Sequence, residues 1–436
     1  MDRLDIGVIS IGVTLILMAM RVPIGIALIG VSFFGLAAVT SFRAAWGIVS
    51  SIPYSFVATW ELSAVPMFLL MGYIAARAGL TKGLFASMRI IFNWVPGSMA
   101  SASVAAAAMF SAASGSSVAT AAALARIAVP EMLRAGYQKS LATGTIAASG
   151  TLGALIPPSI LMVIYGVFTN TPIGPLFMAG VIPGILTAIA FVTMISLRVL
   201  FNPSIAPKAD NNMTPEERRA AFMDFWPLPV LMFGVLGGIM LGVFSPTEAG
   251  AVGAALSLVI AAFKRSLSFS MIWNAVVDAA FATAVIFFIA VGAAMFQRLL
   301  GLSQIPTFFS DAMLSVSDNK YIIILMIAIL YLILGMFLES IGIVLLTLPV
   351  ILPLLIQLDI SLIWFGVITI KLLEIGLMTP PLGMNVYVIK SALGRQVDLV
   401  TIFKGCGWFI VTDMIVLTII VAFPILALYL PSLMQM

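Results

Sequence analysis

The sequence predicts an all-α, polytopic membrane protein built from two inverted repeats, and three observations carry that prediction. Only 9% of its 436 residues are charged, 62% are hydrophobic, and the same pattern recurs after a shift of 223 residues. A soluble globular chain carries roughly 25% charged residues, so this one lacks the polar surface to fold in water. Its apolar stretches, such as Ile322–Phe337 and Met414–Leu430, are continuous rather than alternating. That selects helices over barrel strands. At roughly 20 residues per crossing, the length allows about ten to twelve segments.

Several chemistries drop out on composition. The chain has no His and a single Cys, Cys406. His-based metal centres, Ser-His triads and disulfide frameworks are therefore excluded. The net charge of +4 is scattered through short loops, which gives no basic patch for nucleic acid. The opening Met1-Asp2-Arg3-Leu4-Asp5 is not the basic start of a cleaved signal.

The repeat is legible in its punctuation. With the shift applied, Pro23 falls on Pro246, Gly30 on Gly253, Ser117 on Ser340 and Pro130 on Pro353. Gly153 falls on Gly376, Pro157-Pro158 on Pro380-Pro381, and Gly184 on Gly407. A Gly-x-x-x-Pro-Pro string recurring in register with other matches marks an internal duplication. The halves run over 1–200 and 224–436, joined by the polar linker 201–223 with Lys208 and the run Glu216-Glu217-Arg218-Arg219.

Each half reads as six apolar segments: 6–20, 24–40, 48–77, 98–129, 138–170 and 176–200, then 226–244, 247–263, 271–300, 321–354, 361–392 and 399–430. The fourth is split at its centre in both halves, by Ser111–Ser117 in 98–129 and by Gly335 with Glu339-Ser340 in 321–354. Both are expected to be re-entrant hairpins. For Ser111–Ser117 the alternative is small residues that let helices pack closely. The fifth carries Pro-Pro at mid-span. Proline removes a backbone hydrogen bond and clashes with the preceding turn, so 138–170 and 361–392 are expected to be broken helices. The alternative is a simple kink. Segments Lys82–Trp94 and Leu302–Ser317 read either as interfacial helices or as loops.

Two hairpins leave five crossings per half, and an odd number inverts the second half. The basic residues fit that topology. It puts Arg21, Arg77, Lys82, Arg89, Arg134, Lys139, Lys208, Lys264, Lys390 and most others on the cytoplasmic side. Only Arg3, Arg43, Arg298 and Lys320 fall outside, and both termini are expected outside.

Inverted repeats with broken helices are the build of secondary transporters. Freed backbone groups must line a protein-enclosed cavity, where half-helix N-termini favour anions and unwound carbonyls can hold Na⁺. Two symmetry-related sites follow, Ser114–Ser117 against Gly150–Pro157 and Gly335–Ser340 against Glu374–Pro381. An intramembrane lipid-modifying enzyme or protease finds none of its usual residues here. Paired hairpins around a midplane site also argue against a continuous channel.

Ser114-Gly115-Ser116-Ser117, Leu152-Gly153, Ile156-Pro157-Pro158-Ser159-Ile160 and Thr379-Pro380-Pro381-x-Gly383-x-Asn385 resemble the large, DctM-like membrane subunit of TRAP transporters. The likeness spans essentially the whole chain. It implies Na⁺-driven uptake of organic acids, such as C4-dicarboxylates or sialic acids, by an elevator motion in the bacterial inner membrane. It also implies two partners, a small four-helix DctQ-like membrane subunit and a periplasmic DctP-like binding protein. Two or more Na⁺ ions are expected. Site 1 comprises Ser114, Gly115, Ser116, Ser117, Gly150 and Gly153. Site 2 comprises Gly335, Glu339, Ser340, Gly376, Thr379 and Pro380. The substrate is expected against Ser116, Pro157, Ser340, Pro381, Asn385 and Arg126. A stand-alone Na⁺-coupled dicarboxylate or citrate carrier of the same superfamily is the alternative.

Some charges stay open. Glu339 either neutralises a cation or caps the hairpin tip. Arg126 either pairs with a substrate carboxylate, pairs with an acid, or snorkels to the edge; Lys371 is similar. Glu61, Asp278, Glu374 and Asp413 are either functional or structural pairs.

Overall fold

The computed structural model describes residues 2–207 and 214–434; Lys208 and its neighbours to 213 lie outside the described residues, as do the side chains of Lys82 and Glu217. Among the described residues there are helices, turns and loops and no strand. Six helices are long and apolar enough to cross a membrane, and two further pairs qualify as bent spans. Large apolar side chains such as Phe34, Phe263 and Phe269 stand exposed around the outside. Lipid is the solvent that makes such a surface stable.

The first hairpin consists of helices Ser98–Ser114 and Ser117–Arg134. Its ends meet: the backbone N–H of Met99 donates to the Tyr137 hydroxyl at 3.2 Å. Each arm is roughly 25 Å long at 1.5 Å per residue, so the chain must fold back on itself. The first arm is almost wholly Ala and Ser and is buried along most of its length, which lets neighbouring backbones approach closely. The second hairpin, Lys320–Gly335 and Ser340–Gln357, is cross-tied near its tip by Thr347 Oγ1 donating to Tyr331 at 2.8 Å.

Both Pro-Pro segments break their helices. Lys139–Leu155 and Ile160–Thr169 meet at 41° across residues 156–159. Leu362–Gly376 and Met384–Leu393 are separated by residues 377–383. Both Pro-Pro bonds are cis.

The two broken helices run antiparallel. Lys139, at the start of the first, reaches the Gln396 carbonyl just past the end of the second. At the other end, the Tyr165 hydroxyl donates to the Leu362 carbonyl at 2.7 Å. The hairpin bases adjoin these opposite ends, so the hairpins open in opposite directions.

The halves also exchange partners symmetrically. Ile24–Val39 packs on Phe269–Leu302, while its repeat equivalent Pro246–Phe263 packs on Ala64–Arg77. The arm Ser117–Arg134 packs on Met384–Leu393 of the other half, and Ser340–Gln357 packs on Ile160–Thr169. Neither half can be lifted out intact.

Two details differ from the sequence expectation, and one left open is decided. Segment 48–77 is bent by 57° at residues 58–59, between Phe42–Val57 and the Trp60–Arg77 stretch, whereas its equivalent is one 34-residue helix, Phe269–Leu302. Pro53, Pro66 and the polar Thr59, Glu61 and Ser63 flank or fill that bend. The segment read as 399–430 splits at Phe423-Pro424 into Leu399–Ala422 and Ile425–Leu433. The two stretches left open as loops or interfacial helices are helical, over Leu80–Ile91 and Ile305–Val316.

Single cysteines at the exposed Arg134 and Asp318, in a Cys406→Ala background, are expected to react with an impermeant maleimide from opposite faces of the membrane. Labelling of both from one face contradicts the antiparallel arrangement.

Candidate substrate and ion site between the hairpin tips

The first tip turns at Gly115, whose φ of +59° suits glycine. Ser116 then caps the second arm, accepting from the Ala119 N–H at 3.4 Å. The tip lies directly on the first helix break: the Gly115 carbonyl accepts from the Ile160 N–H at 3.3 Å. Beneath it, a Cβ at Gly153 would stand 2.6 Å from the Ser116 carbonyl oxygen. Gly150 lies one turn earlier, under the Ser117 carbonyl. Ser114 is satisfied by the Thr120 hydroxyl at 2.7 Å.

The second tip repeats the design with different residues. The Leu382 N–H, in the unwound segment, donates to the Met336 carbonyl at 3.3 Å. Gly335 and Gly376 touch backbone to backbone; a Cβ on Gly376 would lie 2.6 Å from the Gly335 Cα. Glu339 occupies the N-cap position of Ser340–Gln357 without a side-chain cap bond, its carboxylate beside the Ile341 and Gly342 amides. That geometry answers the helix N-terminus, one of the two roles left open for it.

Both tips face one cavity of about 910 Å³, lined by Ser114–Ser117, Glu339, Ser340, Glu374 and Arg126 among others. Four helices begin on its wall, at Ser117, Ile160, Ser340 and Met384. The N-terminal ends of helices are partly positive and carry free N–H groups, so the wall is prepared for an anion. Arg126 is exposed into the cavity and makes no ion pair among the described residues. At its edge, Arg77 pairs with Asp278.

Not every expected residue reaches this cavity. Pro157 is buried in the first break, and Pro380 and Pro381 are exposed on the second; none of the three lines the cavity. Asn385 is buried, its Nδ2 donating to the Ala147 carbonyl at 3.2 Å, so it ties the two broken helices together. Thr379 turns its hydroxyl back onto the Ile375 carbonyl at 2.7 Å. Of the buried side-chain polar atoms without a hydrogen-bond partner among the described residues, three belong to the cavity lining: Ser117 Oγ, Ser340 Oγ and Glu374 Oε2. These fit oxygen ligands held ready for a cation.

The remaining intramembrane charges sort by partner. Lys371 pairs with Asp413 and donates to Thr187 Oγ1 at 3.0 Å, which removes it from the substrate side. Glu61 is exposed in a separate pocket with Asn170 and Ser245.

Residues 11–426 match the family described as "Tripartite ATP-independent periplasmic transporter, DctM component". This chain belongs to that family. The chain is a DctM component of a tripartite, ATP-independent periplasmic transporter, hence a membrane transport protein and not an enzyme. It is 32% identical to the sialic acid TRAP transporter permease protein SiaT of Haemophilus influenzae, covering 98% of this chain and 68% of SiaT. It is 34% identical to the C4-dicarboxylate TRAP transporter large permease protein DctM of Pseudomonas aeruginosa, covering 86% of each. The fold of this DctM component is similar to that of the Alcanivorax borkumensis YdaH transporter, with a TM-score of 0.62 at 13% identity over 88% of this chain and 89% of that one.

Gly153→Ala and Gly376→Ala test the tip contacts. Alanine in a helix interior ordinarily stabilises by about 0.5–1 kcal/mol. Here each is expected to destabilise by about 1–3 kcal/mol, because the added methyl meets backbone. Higher unfolding temperatures for both purified variants would contradict the docked tips.

Proposed function

We propose that this chain is the Na⁺-coupled translocating subunit that carries a small organic acid inward. In this reading the two halves form an inverted repeat, and the hairpins and broken helices move together against the outer helices as an elevator. A periplasmic binding protein delivers the acid, and a small membrane subunit braces the outer helices. The carboxylate class includes the C4-dicarboxylates and sialic acids named for its relatives.

The observation that carries this proposal is the convergence of four helix N-termini and Arg126 on one cavity enclosed by both tips. An anion there is met by oriented N–H groups and one guanidinium. Carbonyls of the unwound segments and the hydroxyls of Ser116, Ser117 and Ser340 are hard oxygen donors suited to Na⁺. Site 1 falls to the Ser114–Ser117 tip over Gly150 and Gly153, and site 2 to Gly335, Glu339, Ser340, Gly376, Thr379 and Pro380. The bound ion offsets the charge of the acid, and its inward gradient supplies the energy that ATP does not.

Proteoliposomes carrying this chain with its small subunit and binding protein provide the test. Uptake of the acid bound by that binding protein is expected to require an inward Na⁺ gradient and to survive a proton ionophore. Arg126→Ala is expected to raise KM about tenfold to a hundredfold, from the ~1.5–3 kcal/mol of a charge-assisted contact. Uptake indifferent to Na⁺, or an unchanged KM, contradicts the respective assignment.

A further inference from the structure

The cavity between the tips has a counterpart toward the opposite face of the membrane. A second cavity, of about 800 Å³, has Ser55, Thr59, Gln297, Arg298, Pro349 and Pro353 on its wall. It lies between the second arm of the second hairpin and the helices Phe42–Val57 and Phe269–Leu302. The 223-residue shift relates it to the first cavity. Pro349 and Pro353 are the equivalents of Arg126 and Pro130, and Asp278 is the equivalent of Ser55. Asp278 and Arg298 stand on one helix, about 30 Å apart at 1.5 Å per residue. That is the thickness of the hydrocarbon core of a bilayer, so the cleft at Asp278 and the cavity at Arg298 open toward opposite faces. On the topology that the basic residues favour, the Arg298 face is the outer one.

The two cavities use their guanidinium groups differently. In the first, Arg77 is neutralised by Asp278, and the unpaired Arg126 belongs to the hairpin arm. In the second, Ser55 takes the place of the acid and Pro349 that of the hairpin arginine. Arg298 is left exposed, with no ion pair among the described residues. No Asp or Glu is among the residues that line this cavity. Its other polar groups are neutral: the Gln297 amide and the hydroxyls of Ser55, Thr59 and Thr307. Thr307 lies in the first turn of Ile305–Val316, whose partly positive N-terminus adds to the field of Arg298. None of the tip residues Ser114–Ser117, Glu339 or Ser340 lines the cavity, so it is distinct from the central one. An arginine near a helix end can also snorkel to lipid headgroups. A wall of hydroxyls and an amide without any carboxylate favours a small soluble anion instead.

We propose that this cavity is an outer vestibule that captures the organic acid before it reaches the hairpin tips, with Arg298 as the capturing residue. The proposal rests on the inward carriage of an organic acid proposed above. In that reading Arg298 belongs to the stationary outer helices and Arg126 to the moving hairpin. Arg298 draws the acid in and is left behind, while Arg126 travels with it. An exposed cation in a cleft acts mainly on arrival, by raising the on-rate, and salt screens it.

Charge-selective labelling reads the site without transport. Ser55→Cys in a Cys406→Ala background, in proteoliposomes of the full chain with its small subunit, is treated from outside with methanethiosulfonates that carry either a sulfonate or a trimethylammonium group. Relative to a free thiol, the sulfonate is expected to react about threefold to tenfold faster than the cation. Arg298→Ala is expected to abolish that preference and Arg298→Lys to keep it. In uptake assays with the binding protein, with succinate and sialic acid as probes, Arg298→Ala is expected to raise KM by about tenfold, the lower end of what a charged cleft adds to an on-rate. The maximal rate is expected to stay, and the KM of the variant to depend less on salt than that of wild type. Equal labelling by the two reagents, or a preference that survives Arg298→Ala, overturns the anion site. A preference lost in Arg298→Ala with KM unchanged overturns capture and makes Arg298 a partner of lipid headgroups. A wild type that takes up neither acid overturns the function proposed above, and the labelling still decides the anion site.

Discussion

A helix broken inside a bilayer leaves backbone N–H and C=O groups without water to receive them, at several kcal/mol for each unsatisfied group. This chain breaks its helices twice at Pro-Pro and turns twice more at hairpin tips. The tips answer the breaks: Gly115 accepts from Ile160, and Leu382 donates to Met336. Much of the remaining architecture follows from that pairing. Small residues are needed where tip and break meet, which accounts for Gly153 under Ser116 and for the Gly335–Gly376 contact. The second arm of each hairpin then packs on the far half of the other repeat's broken helix, which interlocks the halves and brings both tips to one cavity.

The cavity carries two opposed electrostatic features. Helix N-termini and Arg126 favour an anion, while Glu339 and Glu374 on the same wall disfavour one. In the coupling proposed above, a cation beside the acids reconciles them, because it converts a repulsive wall into one that attracts a carboxylate. That is the physical content of cation coupling in such a site: ion and acid each improve the other's binding, and the improvement is reciprocal. The first tip is neutral and Ser-rich, whereas the second carries Glu339.

What was legible in the sequence was whatever has a local signature. Apolar runs showed the spans, Pro-Pro showed the breaks, Ser-Gly-Ser-Ser and Gly-x-x-x-Glu-Ser showed the tips, and the 223-residue shift tied them together. Partner choice across the fold was not legible. Lys371 and Arg126 look alike in the sequence, as basic residues inside apolar segments, yet one is neutralised by Asp413 and the other stands exposed in the cavity. Asn385 belongs to a motif at the second break, but its side chain serves to hold Ala147. The bend at residues 58–59 has no counterpart in the other half, and its equivalent span gave no warning because that span is continuous. Long-range pairing decides each of these, and it leaves no trace in local periodicity.

Amide hydrogen exchange at the two junctions, compared in NaCl and choline chloride, tests directly whether the tips close the breaks as a cation-dependent pair. Exchange is expected to slow in Na⁺ at both junctions together, over residues 115–120 with 156–163 and over 336–343 with 377–386. Exchange at both junctions unaffected by Na⁺ would contradict the coupling of tip docking to ion binding.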